Sequence, residues 1–333
     1  MRVVVAFDKF RGSATSQELL AAVTPALEAA GWSVDGVGLA DGGEGSLEVL
    51  GGPNKTTLVT DPLGDPVQAP WRLDGRTAFI EMAAASGLAL VGGPEENDPI
   101  TADTFGTGEL IGHAIELGAR TVYVLLGGSA TTDGGFGALR AMPPSVRLKE
   151  IDLVVACDVQ TLFTDAAVVF GPQKGASVAQ VKLLTRRLER LAQVYLEQYG
   201  VDVTTLPGAG AAGGLAGGLV AVGARIESGF DVLAETAGLD ELLVGADLVI
   251  TGEGFFDAES FNGKVVGGVA AWAEAEGVPV LAIVGGSSGE VELPDGFTLV
   301  ELADRFGETA SWDRTVELTA QVAVEHARSL MGE

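Results

Sequence analysis

The sequence predicts an α/β protein in which a Rossmann-like domain with a parallel sheet is interrupted by a second, mixed α/β domain. Both ends of the chain alternate short apolar runs with helical patterns, which is typical of βαβ units. The middle contains short runs separated by turn residues, which indicate antiparallel hairpins. At 333 residues the chain exceeds what one hydrophobic core usually organises. We therefore expect one domain from residues 1–55 with 245–333, and an inserted domain from residues 56–244.

The predicted Rossmann-like domain opens with a buried strand at residues 2–7, followed by a helix from Ser16 to Ala30 that Gly31 ends. A second strand follows at 34–39. Consecutive β-branched and aliphatic residues suit a parallel strand covered on both faces. The pattern resumes late in the chain, with predicted strands and helices at 247–251, 266–276, 280–284, 298–302 and 313–331.

The inserted domain is predicted to begin with an antiparallel sheet. Residues 57–60, 67–73 and 77–82 are short strand-like runs, and the turns between them contain Pro, Gly and Asp. Beyond them the pattern is again alternating, with a helix at 109–117, strands at 121–126 and 151–157, and a long charged helix at 178–199. The run at 121–126 is apolar throughout and is predicted to be a central strand.

Composition excludes several classes of function. With 46 acidic and 20 basic residues, the formal charge of -26 repels nucleic acids and anionic membranes. One cysteine, Cys157, cannot form an intramolecular disulfide, and neither of the two histidines lies in a triad or zinc pattern. No apolar stretch is long enough to span a bilayer, and the N-terminus does not have a signal-peptide pattern. We therefore expect a cytoplasmic protein that binds a small molecule.

The glycine-rich loop at residues 127–135 follows the predicted central strand. In open α/β sheets ligands bind beyond the carboxyl ends of strands. Small residues let backbone N–H groups and the hydroxyls of Ser129, Thr131 and Thr132 approach a ligand closely, and Asp133 adds a carboxylate for a metal or a proton. An ordinary turn whose hydroxyls cap the next helix fits the pattern equally well.

Other acidic residues also follow predicted strands. Asp8 and Asp41 end the first two strands and should emerge at the same edge of the sheet, although Asp41 fits a turn carboxylate that bonds its own backbone equally well. Glu81, Asp158 and Glu253 occupy similar positions. Many carboxylates, a few cations and small residues in loops suit phosphoryl transfer, where a protein mainly positions reactants and offsets charge.

A second glycine-rich segment, residues 207–218, has two interpretations. It resembles a phosphate-binding turn at a helix N-terminus, but it lacks the lysine of a P-loop. Its later glycines are better explained by close packing of a helix, and Gly208 to Gly210 remain open to either interpretation.

Nine short motifs follow one another along the chain, and they begin at Asp8, Ala40, Glu81, Thr104, Gly127, Ala156, Phe170, Pro207 and Ile250, the last with Gly263-Lys264. In content and order they resemble those of the type I glycerate kinase family, and the resemblance covers nearly the whole chain. The resemblance implies transfer of the γ-phosphoryl group of ATP, with Mg²⁺, to D-glycerate, giving 2-phosphoglycerate in many members. It also implies two domains with the active site in the cleft between them.

Roles for the matched residues follow from their chemistry. Asp8 or Asp41 would accept the hydroxyl proton of glycerate. The remaining candidates are substrate-binding residues (Lys9, Arg11, Glu81 and Lys264), phosphate- or nucleotide-binding residues (Gly127, Gly128, Ser129 and Thr131), and magnesium ligands (Asp133 and Asp158).

The chain departs from the family pattern at Phe255, where an arginine is usual, and in two shortened loops, after Asp158 and after Gly135. Losing that arginine removes a cation that could bind a carboxylate or phosphate. A kinase for another small hydroxy acid and a catalytically silent ligand-binding protein are therefore the alternatives to a glycerate kinase. The sequence leaves the oligomeric state open.

Overall fold

The computed structural model describes residues 1–10, 12–144, 148–261, 263–289 and 291–332. The chain divides into two compact units: unit 1 contains residues 1–41 and 230–333, and unit 2 contains residues 42–229. The domain limits expected from the sequence, at 55 and 245, stay a prediction.

Strands in the described part of the chain are β1 (Arg2–Phe7), β2 (Ser33–Gly38), β3 (Lys55–Thr60), β4 (Pro66–Asp74), β5 (Thr77–Glu81), β6 (Thr121–Leu125), β7 (Asp152–Ala156), β8 (Arg225–Glu227), β9 (Leu248–Phe256), β10 (Val280–Ser287) and β11 (Phe297–Glu301).

Helices in the same part are α1 (Ser16–Ala29), α2 (Ser46–Val49), α3 (Ala83–Ser86), α4 (Phe105–Glu116), α5 (Phe136–Ala141), α6 (Ala166–Phe170), α7 (Val178–Tyr199), α8 (Ala211–Ala221), α9 (Gly229–Thr236), α10 (Leu239–Leu243), α11 (Val265–Glu276), α12 (Leu302–Phe306), α13 (Glu308–Asp313) and α14 (Thr315–Met331). Short 3₁₀ turns lie at Leu88–Val91, Phe163–Asp165, Pro172–Lys174, Val203–Thr205 and Ala258–Phe261.

Unit 1 is built on a parallel sheet with the strand order β11-β10-β9-β1-β2. Alternate residues of β1 face opposite layers: Val3 and Val5 pack with α1 and α14, whereas Val4 and Ala6 pack with α9, α10 and α11. Both faces are therefore covered, which explains why β1 is apolar at consecutive positions. The Rossmann-like parallel sheet predicted from the sequence is confirmed.

Helix α1 shows how local sequence sets the boundaries of an element. Thr15 accepts a hydrogen bond from the Glu18 backbone N–H, and the Glu18 carboxylate in turn accepts from Thr15, which completes a capping box. Leu19, Val23 and Leu27 recur at helical spacing and are buried against the sheet.

Unit 2 contains a mixed sheet with the order β3-β4-β5-β6-β7-β8. The first three strands are antiparallel hairpins, and β5 through β8 are parallel. The hairpins and the internal position of β6 were both predicted, whereas β8, only three residues long, was not. Trp71 is fully buried in the core beneath this sheet, and its indole N–H donates to the Thr57 hydroxyl at 2.9 Å.

Across the described residues, none of the helices combines the length and the apolar character that crossing a membrane requires.

Candidate functional site

The carboxyl edge of the unit 1 sheet carries the first group of candidate residues. In this sheet β1 lies between β2 on one side and β9 on the other. The direction in which successive strands are added therefore reverses between β1 and β9. Open α/β sheets bind ligands at such a reversal. Asp8 follows β1 directly, Glu253 lies in β9 beside it, and Asp41 follows β2. We call Asp8, Asp41 and Glu253 the carboxylate cluster.

Electrostatics in the carboxylate cluster favour a proton acceptor. Burial raises the pKa of Asp8 to about 7, and the charge of Asp41 and, more weakly, that of Glu253 act in the same direction. One oxygen of Asp8 accepts the Lys9 backbone N–H at 2.7 Å, which opposes the pKa shift without cancelling it. A carboxylate with a pKa near neutrality both exists as a base and binds a proton well enough to remove one from a substrate.

Glu253 is a buried member of this cluster to which the sequence assigned no role. It is 6% exposed, and no described residue forms a hydrogen bond with its Oε1. Burial raises the pKa of Glu253, while Lys264 opposes the shift. The predicted strand ended at Thr251, but β9 continues to Phe256, so Glu253 belongs to the strand rather than to a loop. Gly252 and Gly254 are unfavourable strand residues, so the local sequence gave no signal that the strand extends to the site.

Lys264 is the cation next to this cluster. It lies at the N-cap position of α11, 3.2 Å from the Asp257 carboxylate and 3.9 Å from that of Glu253. Its side chain is about one-third exposed, so part of its charge faces solvent. The side chain of Lys9 is exposed. Arg11, predicted to bind substrate, lies outside the described residues.

The 127–135 loop in unit 2 is the second candidate region, and it connects β6 to α5. The N–H of Leu88 donates to the carbonyl of Gly128 at 2.8 Å, and that of Ala130 donates to Ser86 at 3.0 Å. A Cβ at Gly127 would lie 2.9 Å from Cα of Gly43. Only glycine permits this approach, so the first part of the loop is fixed between two neighbouring segments of unit 2.

The sequence left open whether the loop hydroxyls cap the helix that follows. In the structure the Asp133 carboxylate bonds N–H groups at the start of α5. This partly buried carboxylate accepts the backbone N–H groups of Thr104, Gly135 and Gly137 and the Thr104 hydroxyl, at 2.8 to 3.1 Å. A carboxylate has about four lone-pair sites, so these bonds occupy the usual capacity of the group. Burial raises the pKa of Asp133, and the four hydrogen bonds lower it. Its prediction as a metal ligand stays a prediction.

The hydroxyls of the same loop are not used for capping. The Oγ1 atoms of Thr131 and Thr132 are buried, and among the described residues neither has a hydrogen-bond partner. Ser129 is 8% exposed, and its Oγ accepts a hydrogen bond from Nζ of Lys174 at 2.8 Å. Buried hydroxyls without partners are unfavourable unless something else bonds them. This favours the ligand-binding interpretation of the loop over the capping one.

Helix α8 packs against the 127–135 loop. A Cβ at Gly213 would lie 2.0 Å from the carbonyl oxygen of Thr131, and the N–H of Gly134 donates to the Gly213 carbonyl at 3.0 Å. The helix is interrupted here by three left-handed residues, among them Ala212 with φ of 50°. A left-handed alanine is strained. The later glycines of residues 207–218 therefore serve close packing, and they pack against this loop.

Glu81 and Asp158 both bond backbone N–H groups within unit 2. Glu81 accepts that of Leu47 at 2.8 Å, which ties the start of α2 to the end of β5. Asp158 accepts that of Gly229 at 3.0 Å through Oδ1 and is partly buried. Residues of the described chain contain no group of three carboxylate, imidazole or thiol side chains arranged to hold a metal ion.

The structure thus collects the candidates into two sets. Unit 1 brings together Asp8, Asp41 and Lys264 with the unassigned Glu253. In unit 2 the phosphate-binding candidates Gly127, Gly128, Ser129 and Thr131 share one loop with Asp133, and Lys174 contacts that loop. The sequence named Lys174 only as one of several cations, and no spacing rule shows that a lysine 45 positions after Ser129 would reach it.

Carboxylates at a strand-order reversal, together with a separate loop of hydroxyls and backbone N–H groups, are typical of α/β enzymes that transfer phosphoryl groups. Residues 3–146 and 143–331 match the model of the glycerate kinase family. The chain belongs to this family and is an enzyme of it.

Individual relatives agree with the family match. The chain is 38% identical to glycerate 2-kinase of Escherichia coli strain K12 over 331 residues, which cover 87% of each sequence. It is 37% identical to a glycerate kinase of Haemophilus influenzae over 325 residues, 86% of each. Among solved structures, a putative glycerate kinase 2 from Salmonella typhimurium LT2 superposes with a TM-score of 0.85 at 33% identity, covering 100% of this chain and 98% of the other.

Proposed function

We propose that the protein transfers the terminal phosphoryl group of ATP to a hydroxyl of D-glycerate, with 2-phosphoglycerate as the favoured product. The family match and the names of the Escherichia coli and Haemophilus influenzae relatives support glycerate as the acceptor. The site chemistry supports a phosphoryl donor, because the candidate groups are a poised carboxylate, lysines and a loop rich in hydroxyls.

The proposal depends mainly on the position and pKa of Asp8. Of the two carboxylates considered as the base, Asp8 directly follows β1 at the strand-order reversal, and burial together with Asp41 and Glu253 raises its pKa to about 7. At neutral pH a large part of the population holds Asp8 as a carboxylate able to accept the glycerate hydroxyl proton. Asp41 then acts through Asp8, since its negative charge makes Asp8 a stronger base.

The carboxylate of glycerate requires a cation, because the protein carries a formal charge of -26 that repels anions. We assign this role to Lys264, with Lys9 and Arg11 as further candidates. Asp257 and Glu253 hold the Lys264 ammonium in place, and its partial exposure leaves donor capacity for a ligand. Glu81 stays a candidate for the substrate hydroxyls, although Leu47 already uses one of its oxygens.

For the nucleotide we propose the 127–135 loop, with the N–H groups near Gly127 and Gly128 and the hydroxyls of Ser129 and Thr131 facing phosphate oxygens. Magnesium, when bound, would offset the charge on the transferred group. Asp158 and Asp133 are the proposed magnesium ligands, and the Asp133 carboxylate also accepts four hydrogen bonds from Thr104 and from the start of α5. Small residues around the hydroxyls let a phosphate approach.

An assay of ADP release tests the proposal. The purified chain is supplied with ATP, Mg²⁺ and each member of a panel of small hydroxy acids, and ADP is measured by a coupled reaction. We expect the highest kcat/KM with D-glycerate. A higher kcat/KM with another hydroxy acid would reassign the substrate, and absence of ADP release from every acid would refute the kinase proposal. NMR of the product then distinguishes 2-phosphoglycerate from 3-phosphoglycerate.

A further inference from the structure

Lys174 is an unusual residue in unit 2 because its charged end lies in the interior. The residue is 3% exposed. Its Nζ donates to Oγ of Ser129 at 2.8 Å and to the carbonyl oxygen of Thr131 at 2.6 Å. Lysine is almost never this buried unless its ammonium has a specific partner. Here its hydrogen-bond partners among the described residues are two atoms of the 127–135 loop, and its Nζ also lies 5.9 Å from the centroid of the Phe170 ring.

These contacts determine how the Ser129 hydroxyl is used. A serine oxygen has two lone pairs and one hydrogen. Because the Lys174 N–H occupies a lone pair of Oγ, the hydroxyl hydrogen must point elsewhere and is available to donate. A hydroxyl that accepts from an ammonium is also polarised and donates more strongly.

The position of Lys174 is itself fixed by neighbours. The side-chain amide of Asn97 donates both to the carbonyl of Lys174 at 2.8 Å and to that of Ala130 at 3.1 Å. The next residue, Gly175, has φ of 88°, and a Cβ there would lie 2.0 Å from the Pro94 carbonyl oxygen. The turn that carries Lys174 therefore packs closely against Pro94, and Asn97 connects it to the loop.

Stability alone does not account for a buried lysine at this place. Burial lowers the pKa of Lys174 to about 7, and the Asp133 carboxylate only partly opposes the shift. A buried charge is often no more stable than a well-packed apolar side chain of similar volume. The position of Lys174 against Ser129 and Thr131 fits a role in binding an anion.

We propose that Lys174 is a positioning residue that holds Ser129 as a hydrogen-bond donor to a phosphate oxygen of the nucleotide. This inference rests on the proposed function and extends it, because it adds a residue with no assigned role and gives Ser129 a defined direction of donation. Lys174 acts through Ser129 and the Thr131 carbonyl, and it fixes the loop against which the phosphate lies.

A double-mutant cycle tests the inference. Lys174→Met, Ser129→Ala and the double variant are compared for kcat, the KM for ATP and the KM for glycerate. A hydrogen bond to a charged group contributes about 1.5–3 kcal/mol, so we expect each single substitution to raise the KM for ATP about 10- to 100-fold. The KM for glycerate should stay within about twofold. Because Lys174 acts largely through Ser129, the increase in the double variant should be clearly smaller than the product of the two single increases.

Lys182→Met is the matched control, because it removes the same charge from the exposed surface of α7 in the same unit. It should leave all three kinetic constants unchanged. An unchanged KM for ATP in Lys174→Met, an effect on the KM for glycerate alone, or independent effects that multiply in the double variant would each overturn the inference. If Lys174→Met does not fold, an unchanged KM for ATP in Ser129→Ala overturns it instead.

The failure of this inference is distinguishable from failure of the proposed function. If the unmodified protein releases no ADP with any hydroxy acid, the proposed function fails. If it is active and the variants behave as Lys182→Met does, only the role of Lys174 fails.

Discussion

The carboxyl edge of the unit 1 sheet and the 127–135 loop of unit 2 both follow parallel strands, and both contain an aspartate with a raised pKa. From the described residues, Asp8 accepts the backbone N–H of Lys9, and its pKa rises through burial and neighbouring negative charge. Asp133 accepts four hydrogen bonds that connect the loop to α4 and α5. The difference indicates that the partners of a carboxylate, more than its position after a strand, decide whether it is available for chemistry.

The threonine hydroxyls of unit 2 show a similar contrast. Thr104 bonds Asp133 and stabilises the fold, whereas the buried hydroxyls of Thr131 and Thr132 have no partner in the part of the chain that the structure describes. The carboxylate cluster of unit 1 therefore supplies charged groups, whereas the loop of unit 2 supplies uncharged hydrogen-bond donors. The Asp133 carboxylate and the buried Lys174 hold these donors in place. The carboxylate cluster is suited to proton transfer and the loop to binding an anion.

The largest expected effect is that of Asp8→Asn. The amide retains the shape but cannot accept the hydroxyl proton, so kcat should fall about 10²- to 10⁴-fold. Steady-state kinetics with ATP and glycerate measure this effect. Glu28→Gln is the control, because it neutralises an exposed carboxylate on α1 of the same unit. Unchanged turnover in Asp8→Asn would transfer the role of base to another group.

Asp133→Ala should mainly destabilise the protein. The substitution leaves several partly buried N–H groups without an acceptor, and we expect a loss of about 3 kcal/mol or more in the free energy of unfolding. Urea unfolding measures it. If Asp133 instead serves chiefly as a metal ligand, the unfolding curve will stay near that of the unmodified protein and the magnesium concentration needed for half-maximal activity will rise.

The pH dependence should separate Asp8 from the other carboxylates. The base must be unprotonated, so kcat/KM should fall about tenfold for each pH unit below about 7 and level off above it. In Asp8→Asn this inflection should be absent from the residual activity. A profile that is flat between pH 5 and 8 in the unmodified protein would contradict the assignment.

The same shift has a consequence for stability. The folded-state pKa of Asp8 is raised from 3.8 to about 7, so its favourable contribution is complete below the unfolded value and is lost as the pH rises through about 7. Asp8→Asn should therefore raise Tm relative to the unmodified protein more at pH 8 than at pH 4. Thermal unfolding followed by circular dichroism at the two pH values measures the difference.

Lys264→Met should have a smaller effect, because the lysine is about one-third exposed. Loss of one partly screened contact to the glycerate carboxylate corresponds to an increase of about tenfold in its KM, with the KM for ATP unchanged. Lys182→Met again serves as the control. A change in the KM for ATP alone would assign Lys264 to nucleotide binding instead of glycerate binding.

Several elements were predictable because their cause is local. Strand β1, the capping box of α1, the long helix α7 and the three hairpin strands of unit 2 all follow from residues close together in the chain. The candidate positions Asp8, Ser129 and Asp133 were predicted for the same reason, since each follows a strand in its own segment.

The partners of those residues were not predictable from local sequence. Lys174 reaches Ser129 across 45 positions and Thr104 reaches Asp133 across 29, and these pairings exist only once the chain has folded. Glu253 escaped assignment because β9 extends past the glycine at which a strand was expected to end.

By itself the sequence determined the alternating layers of unit 1, the hairpins of unit 2 and the family. Periodic burial and the order of motifs depend only on the order of residues along the chain. Only the tertiary structure decided which polar groups are satisfied. Within the described ranges, it gave Asp133 four donors and Asp8 one, and left the Thr131 and Thr132 hydroxyls without partners. The physical reason is that hydrogen bonding and desolvation depend on distances between segments far apart in sequence, and these same distances set the pKa of each carboxylate.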